Sequence, residues 1–161
     1  IDLKAFSDDF YRKNCAAKLD VVLDTLKYIK HETSVWLEIT TLLIEGENNS
    51  EDEIFKMCEW IVNNLGKNTP LHFSAFHPAY KMLNKPRTSF ETLKRAYDIA
   101  KGYGINYVYL GNVRDILTSS TYCKKCGTLL IERDWFKVTQ YNLDEFARCK
   151  MCHTLCDGIF I

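Results

Sequence analysis

The chain has 161 residues and a mass of 18.8 kDa, and its 21 Lys+Arg offset 21 Asp+Glu to leave no formal net charge. A hydrophobic content of 47% and an aromatic content of 13% are too high for a disordered segment, and zero net charge supplies no long-range field toward nucleic acid or an anionic membrane. No apolar run approaches the roughly 18–20 residues of a membrane span, no basic-then-apolar leader opens the chain, and the length suits one domain or one domain plus a small metal module.

The chain begins at Ile1, and Ile1–Phe6 already reads as a strand, so partner strands are expected upstream. A helix is predicted from about Leu19 to Lys30, where Val22, Leu23, Leu26 and Ile29 recur at helical spacing. Val35–Ile44 reads as a strand. Ser50-Glu51-Asp52-Glu53 reads as a capping box, followed by an apolar stripe of Ile54, Met57, Cys58, Ile61, Val62 and Leu65. Leu71–Phe76 is a third strand. Thr88-Ser89-Phe90-Glu91 opens a helix with Leu93, Ala96, Tyr97 and Ala100 inward, closed by Gly102 and Gly104. Tyr107–Gly111 is the fourth strand. This βα alternation predicts an α/β fold with a parallel sheet.

Strand Val35–Ile44 separates an open sheet from part of a barrel. Val35, Leu37, Ile39, Thr41 and Leu43 make one face nearly all β-branched or Leu, as helices require, whereas Trp36, Glu38, Thr40, Leu42 and Ile44 put a carboxylate and a hydroxyl on the other. That second face suits a barrel lumen, and four strands make half of a (β/α) barrel of the ~250-residue kind. Two open edges then predict self-association unless other sequence covers them. His72, within an apolar strand, reads as a core histidine; Cys15 and Cys58 read as buried small hydrophobes.

After Asn112 the alternation stops. Five of the seven cysteines lie in the last 39 residues, and an odd total arranged in CxxC pairs points to a reduced, cytoplasmic setting and metal rather than disulfides. Cys123-Lys-Lys-Cys126 and Cys149-Lys-Met-Cys152 are two knuckles 22 residues apart, with Thr128–Ile131 and Trp135–Gln140 read as a hairpin turned at Arg133-Asp134. Four thiolates converging this way predict a closed Cys₄ site for zinc, with iron compatible with the same spacing; His153 and Cys156 are spare ligands for the place of Cys152. The predicted division is 1–118 for the barrel half and 119–161 for a zinc-ribbon-like or rubredoxin-like tail.

Ile1-Asp-Leu-Lys4-Ala-Phe, Val22-Leu-Asp-Thr-Leu-Lys27, Val35 through Asn48, His72 through Met82 and Tyr107-Val-Tyr-Leu-Gly-Asn112 follow one order along the chain. Together they resemble the carboxyl-terminal half of radical SAM enzymes related to pyruvate formate-lyase activating enzyme. The group most similar is the radical SAM enzyme family of the AmmeMemoRadiSam system, whose members also end in a CxxC…CxxC tail after a segment like Ser119–Tyr122. The resemblance implies a partial (β/α) barrel that binds S-adenosylmethionine and a [4Fe–4S] cluster and directs a 5′-deoxyadenosyl radical to hydrogen abstraction from a substrate, a partner protein in the activating enzymes. It carries Asp2, Lys4 and His77 over as cofactor contacts. Thr40 and the Gly46–Asn48 turn, with Glu45 where the family has Pro, are further cofactor candidates centred on Thr40 and Asn48. The family's CxxxCxxC cluster loop has no counterpart, so the chain by itself is expected to be inactive. The contrasting expectation is a non-catalytic βα scaffold whose ribbon binds a protein or single-stranded nucleic acid through Tyr122, Trp135, Phe136 and Tyr141 near Lys124, Lys125 and Arg148; the absence of net positive charge disfavours nucleic acid.

Overall fold

A computed structural model describes residues 1–160 and divides into two compact units, Ile1–Val113 and a second from Arg114 onward. In the first, a parallel sheet has the order β1 (Ile39–Leu43), β2 (Leu71–Ala75), β3 (Val108–Gly111). Helices α2 (Leu19–Glu32), α3 (Glu51–Leu65) and α4 (Phe90–Gly102) alternate with them, after a short α1 (Asp8–Phe10) that runs on as a π-helical turn, Tyr11–Cys15. The predicted α/β class with a parallel sheet is the observed one.

Alternation sorts the sheet into two faces. Leu3, Ile39, Leu43, Leu71, Phe73, Val108 and Leu110 point to the helices and form one core with Leu26 of α2, Ile54, Met57 and Ile61 of α3, and Leu93, Ala96 and Ala100 of α4. Each such large side chain, fully buried, contributes about 1.5–3 kcal/mol. Thr41 shares the buried face because its hydroxyl donates to Leu3 O at 2.7 Å. A smaller cluster of Ala5, Phe10, Tyr11, Ile44 and Phe76 closes the carboxyl end of the strands.

The helix starts follow their caps. Ser50 Oγ accepts from Glu53 N at 3.3 Å and Ser89 Oγ from Thr92 N at 3.1 Å, worth about 1 kcal/mol each. The expected capping box is only half made: the Glu53 carboxylate accepts instead from Phe6 N at 2.6 Å and ties the first segment to α3. Glu45 accepts from Ser89 N at 3.2 Å and Thr92 Oγ1 at 2.7 Å, a carboxylate at a helix N-terminus where the helix dipole favours it.

Three expected strands are corrected in extent. The ladder of Ile1–Phe6 is limited to one bridge, Asp2 to Thr40, because Ser7 turns the chain into α1. β1 starts at Ile39 rather than Val35, which lies exposed, and β3 starts at Val108.

The second unit holds an antiparallel sheet in the order β4 (Thr121–Tyr122), β5 (Leu129–Asp134), β6 (Lys137–Tyr141), with the short helix α5 (Ile116–Ser119) against β5. The hairpin turns at Trp135-Phe136, not at the expected Arg133-Asp134, which lie in β5. Arg114 holds Asp134 at the end of that strand in a two-pronged pair, Nε to Oδ1 at 3.0 Å and Nη2 to Oδ2 at 2.8 Å.

Candidate functional site

The sheet face away from the helices carries the chemistry. Asp2 pairs with Thr40, Thr40 with His72 and His72 with Tyr109, so these four residues form one row across the strands. Leu42, Ser74 and Gly111 form the next row toward the carboxyl ends. A Cβ on Gly111 would stand 2.6 Å from Ser74 Oγ, so any side chain there would turn that hydroxyl aside.

Of the five residues expected at a cofactor, three share this face. Lys4, two residues past Asp2, pairs with its carboxylate (Nζ to Oδ2 at 2.8 Å), and Thr40 is the half-buried centre of the row. Lys4 is aimed by its own backbone: its N–H donates to Tyr11 Oη at 3.0 Å and its carbonyl accepts from Asn48 Nδ2 at 2.6 Å. His77 lies beyond the carboxyl end of β2, exposed. Asn48 is different. It is 1% exposed, and its amide also donates to Leu42 O at 2.9 Å and accepts from Ile44 N at 2.7 Å. The whole side chain is engaged with backbone, which makes it a clamp joining the Lys4 segment to the end of β1.

One group on this face escaped the sequence reading. His72 is not a core residue: its side chain is 31% exposed, Nε2 lies 2.8 Å from Glu38 Oε2, and its ring meets Tyr109 with centroids 4.9 Å apart. Glu38 also accepts from Trp36 Nε1 at 2.8 Å. The signal was present in the alternation of Leu71-His72-Phe73-Ser74-Ala75, which sends His72 to the polar face.

In the second unit Cys123, Cys126, Cys149 and Cys152 bring their sulfurs within 4.8 Å of one another. Cys123 Sγ lies 3.5 Å from Cys152 Sγ, and Cys126 Sγ 3.7 Å from Cys149 Sγ. A regular tetrahedron with Zn–S near 2.3 Å has S–S edges of about 3.8 Å, whereas a disulfide needs about 2.05 Å. The two knuckles are local copies of one another. Cys123 N donates to Thr128 O at 2.8 Å and Gly127 N to Cys123 O at 2.9 Å; Cys149 N donates to Thr154 O at 2.9 Å and His153 N to Cys149 O at 2.8 Å. The residue after each second cysteine is left-handed, Gly127 at φ +72° and His153 at φ +57°. Such a turn suits Gly; the His153 main chain takes it, and its side chain does not belong to the four-sulfur group.

The donor set fits a divalent metal. Thr128, whose Oγ1 lies 3.2 Å from Cys126 Sγ, holds that thiol down to about 6, and Thr154 lowers Cys152 in the same way. Burial pushes Cys123 up to about 11. Thr128 and Thr154 thus favour the thiolate of Cys126 and Cys152, the form in which a cysteine ligates a metal. No other group of three or more such ligands occurs among the described residues. Cys58 is buried with its thiol pushed up to about 12 and Cys15 is half-buried, so the residues described do not fit a radical-generating [4Fe–4S] cluster. Cys156 is buried apart from the four-sulfur group. No helix is long and apolar enough to cross a membrane among the described residues.

No protein-family model matches the chain. It is 44% identical over 153 residues to an uncharacterized protein of Methanocaldococcus jannaschii, covering 94% of this chain and 45% of that protein. The chain thus spans under half the length of this curated relative. Among solved structures it is similar to a domain of a pyruvate-formate lyase-activating enzyme from Bacteroides vulgatus, with a TM-score of 0.60 and 20% identity over 70% of this chain and 65% of that one. It is also similar to a radical SAM methyltransferase from Sphaerobacter thermophilus, with a TM-score of 0.51 and 21% identity over 80% of this chain and 36% of that one. The chain therefore shares the fold of these enzyme domains, and it carries a four-cysteine group near its carboxyl end.

Proposed function

We propose that this chain is the carboxyl-terminal βα portion of a radical SAM enzyme of the pyruvate formate-lyase activating enzyme-like group, similar to those of the AmmeMemoRadiSam system, followed by a zinc-bearing ribbon. The observation that carries this reading is the uncovered polar face of a parallel sheet with Asp2, Lys4 and Thr40 together on it. Lys4 is suited to the methionine carboxylate, Asp2 to the sulfonium charge and Thr40 to a hydrogen bond from beneath; the Asp2–Lys4 pair is the resting form that a zwitterionic ligand exchanges. His77, at the carboxyl end of β2, is suited to ribose hydroxyls. Asn48 enters as the residue that holds Lys4 in register rather than as a ligand. In the intact parent, S-adenosylmethionine and a [4Fe–4S] cluster held by a CxxxCxxC loop elsewhere in the sequence would supply a 5′-deoxyadenosyl radical for hydrogen abstraction. The substrate is not assigned by the resemblance; a partner protein, as in the activating enzymes, is one class this reading admits. Zinc is the preferred metal of the tail, where four thiolates leave no position for substrate. A cytoplasmic setting belongs to the same reading, since all seven cysteines are free thiols.

The test is to read the coding frame upstream of Ile1 and measure S-adenosylmethionine binding by the protein it encodes. A CxxxCxxC loop, with binding that Lys4→Ala weakens roughly 10-fold or more, is expected from loss of a charged hydrogen bond. A start codon directly before Ile1, with no binding, would remove the reading.

One observation supports a second reading, a non-catalytic scaffold that docks a partner through its ribbon. Phe136 is fully exposed and Trp135 is 52% exposed, the two rings 6.0 Å apart at the hairpin tip rather than packed into the ribbon. Single-stranded nucleic acid is the weaker occupant, because Lys124 is engaged by Asp157 at 2.5 Å. Binding that falls steeply with salt would favour it.

A further inference from the structure

The open face carries a side-chain chain that the proposed cofactor contacts do not use. Trp36 Nε1–H donates to Glu38 Oε1 at 2.8 Å, and Glu38 Oε2 meets His72 Nε2 at 2.8 Å. The His72 ring lies against Tyr109 at 4.9 Å between centroids and 31° between planes. A carboxylate offers only lone pairs, so the contact with Glu38 puts the imidazole proton on Nε2. A neutral ring then has its lone pair on Nδ1. Glu38 is itself anchored by the indole through its other oxygen, and Tyr109 fixes the ring plane, so tautomer and orientation are both determined. The packing of β2 does not require this, since Leu71, Phe73 and Ala75 already fill its helix-facing side.

We propose that His72 is a fixed hydrogen-bond acceptor, through Nδ1, for a ligand on the open face that carries an N–H or O–H donor. The inference rests on the reading of this face as the lumen of a radical SAM barrel and adds its substrate side. His72 stands two strands from Asp2 in the same row, about 10 Å at ordinary strand spacing, so it lies beside rather than within the cofactor contacts. A lone pair on Nδ1 calls for a donor, so the ligand class is an amine, amide or alcohol. Glu38 and Trp36 are positioning residues that act through His72.

The experiment is ¹⁵N NMR of this chain labelled at histidine, at pH 8, together with mapping of diethyl pyrocarbonate modification, an electrophile captured by the bare imidazole nitrogen. The expected result is a His72 with its proton on Nε2 that reacts through Nδ1, with exposed His77 as the reference. Glu38→Gln supplies the decisive comparison. The glutamine oxygen takes the indole donor and its NH₂ then faces Nε2, so the tautomer inverts and His72 reactivity falls several-fold while that of His77 is unchanged. A doubly protonated His72 at pH 8, a wild-type proton on Nδ1, or a His72 that stays unmodified while His77 reacts would each overturn the proposal. Should Glu38→Gln fail to fold, the wild-type tautomer and reactivity decide alone. None of these readouts involves S-adenosylmethionine, so their failure is distinct from failure of cofactor binding.

Discussion

The two units of this chain reach an ordered state by different means. The first buries fully occluded Leu, Ile and Phe side chains from four strand segments and three helices in one continuous core. The second buries little besides Leu130, Ile131, Leu143 and three cysteines. Eleven of the nineteen large hydrophobic residues exposed among the described residues belong to it. A unit of about fifty residues rarely closes its energy balance on apolar burial, and ligation commonly supplies the remainder. The contrast shows where each unit is vulnerable: the body at its apolar layers, the tail at its sulfurs.

The largest expected effect tests the tail. Strong chelation, or Cys126→Ser, should abolish its ordered structure, since a structural zinc site contributes about 10–16 kcal/mol in small zinc-dependent domains. Limited proteolysis should then cut after Arg114 while the body remains resistant, and elemental analysis should show the metal lost. Chelation that changes neither pattern would refute a metal-dependent tail. The reciprocal test is Phe73→Ala. Phe73 is fully buried at the centre of β2, so the substitution should cost the body about 3–5 kcal/mol in denaturant unfolding. Metal content should be unchanged, and a parallel loss of metal would mean that the units do not fold separately.

How much of this was legible depended on how locally each feature is encoded. The knuckles were fully readable, because spacing alone brings the four sulfurs together. The helix starts at Ser50 and Ser89 and the two faces of β1 followed from caps and alternation. The hairpin turn was misplaced because Trp135-Phe136 has no turn chemistry, and Trp135 takes φ +55° with an aromatic side chain. Ile1–Phe6 has a strand pattern, but Ser7 and the bond from Phe6 N to Glu53 divert it after one bridge. Asn48 reads from the sequence as a cofactor candidate, whereas its observed partners, Lys4 and Leu42, are set by strand neighbours that no local pattern reveals. His72 was assigned to the core because its apolar neighbours outweighed its own phase in the alternation.

A third prediction separates clamp from ligand at Asn48. Replacing it with Ala leaves Ile44 N, Leu42 O and Lys4 O without their partner in a buried site, a loss of about 1–3 kcal/mol in body stability. Denaturant unfolding without any ligand is the measurement. An unchanged midpoint would mean that water replaces the amide, and the role of Asn48 would revert to binding.

The smallest effect concerns pH, and it again falls on the body alone. Burial raises the carboxyl of Glu53 above its usual range, outweighing the Phe6 N–H bond that favours the ionised form. A carboxyl whose folded pKa exceeds its unfolded value of about 4.3 contributes stability fully present below that value and lost as pH rises through the folded pKa. Glu47 has the opposite sign: Lys85 and Lys13 lower its pKa, so its contribution is present above the unfolded pKa and fades as pH falls through the folded one. Glu53→Gln keeps an acceptor for Phe6 N but removes the titration. Between about pH 4 and 6, the thermal midpoint of the variant should gain on that of the wild type as pH rises. The tail is unaffected by this exchange, so the difference should persist after chelation. A difference that runs the other way would mean that the Phe6 bond, not burial, governs Glu53.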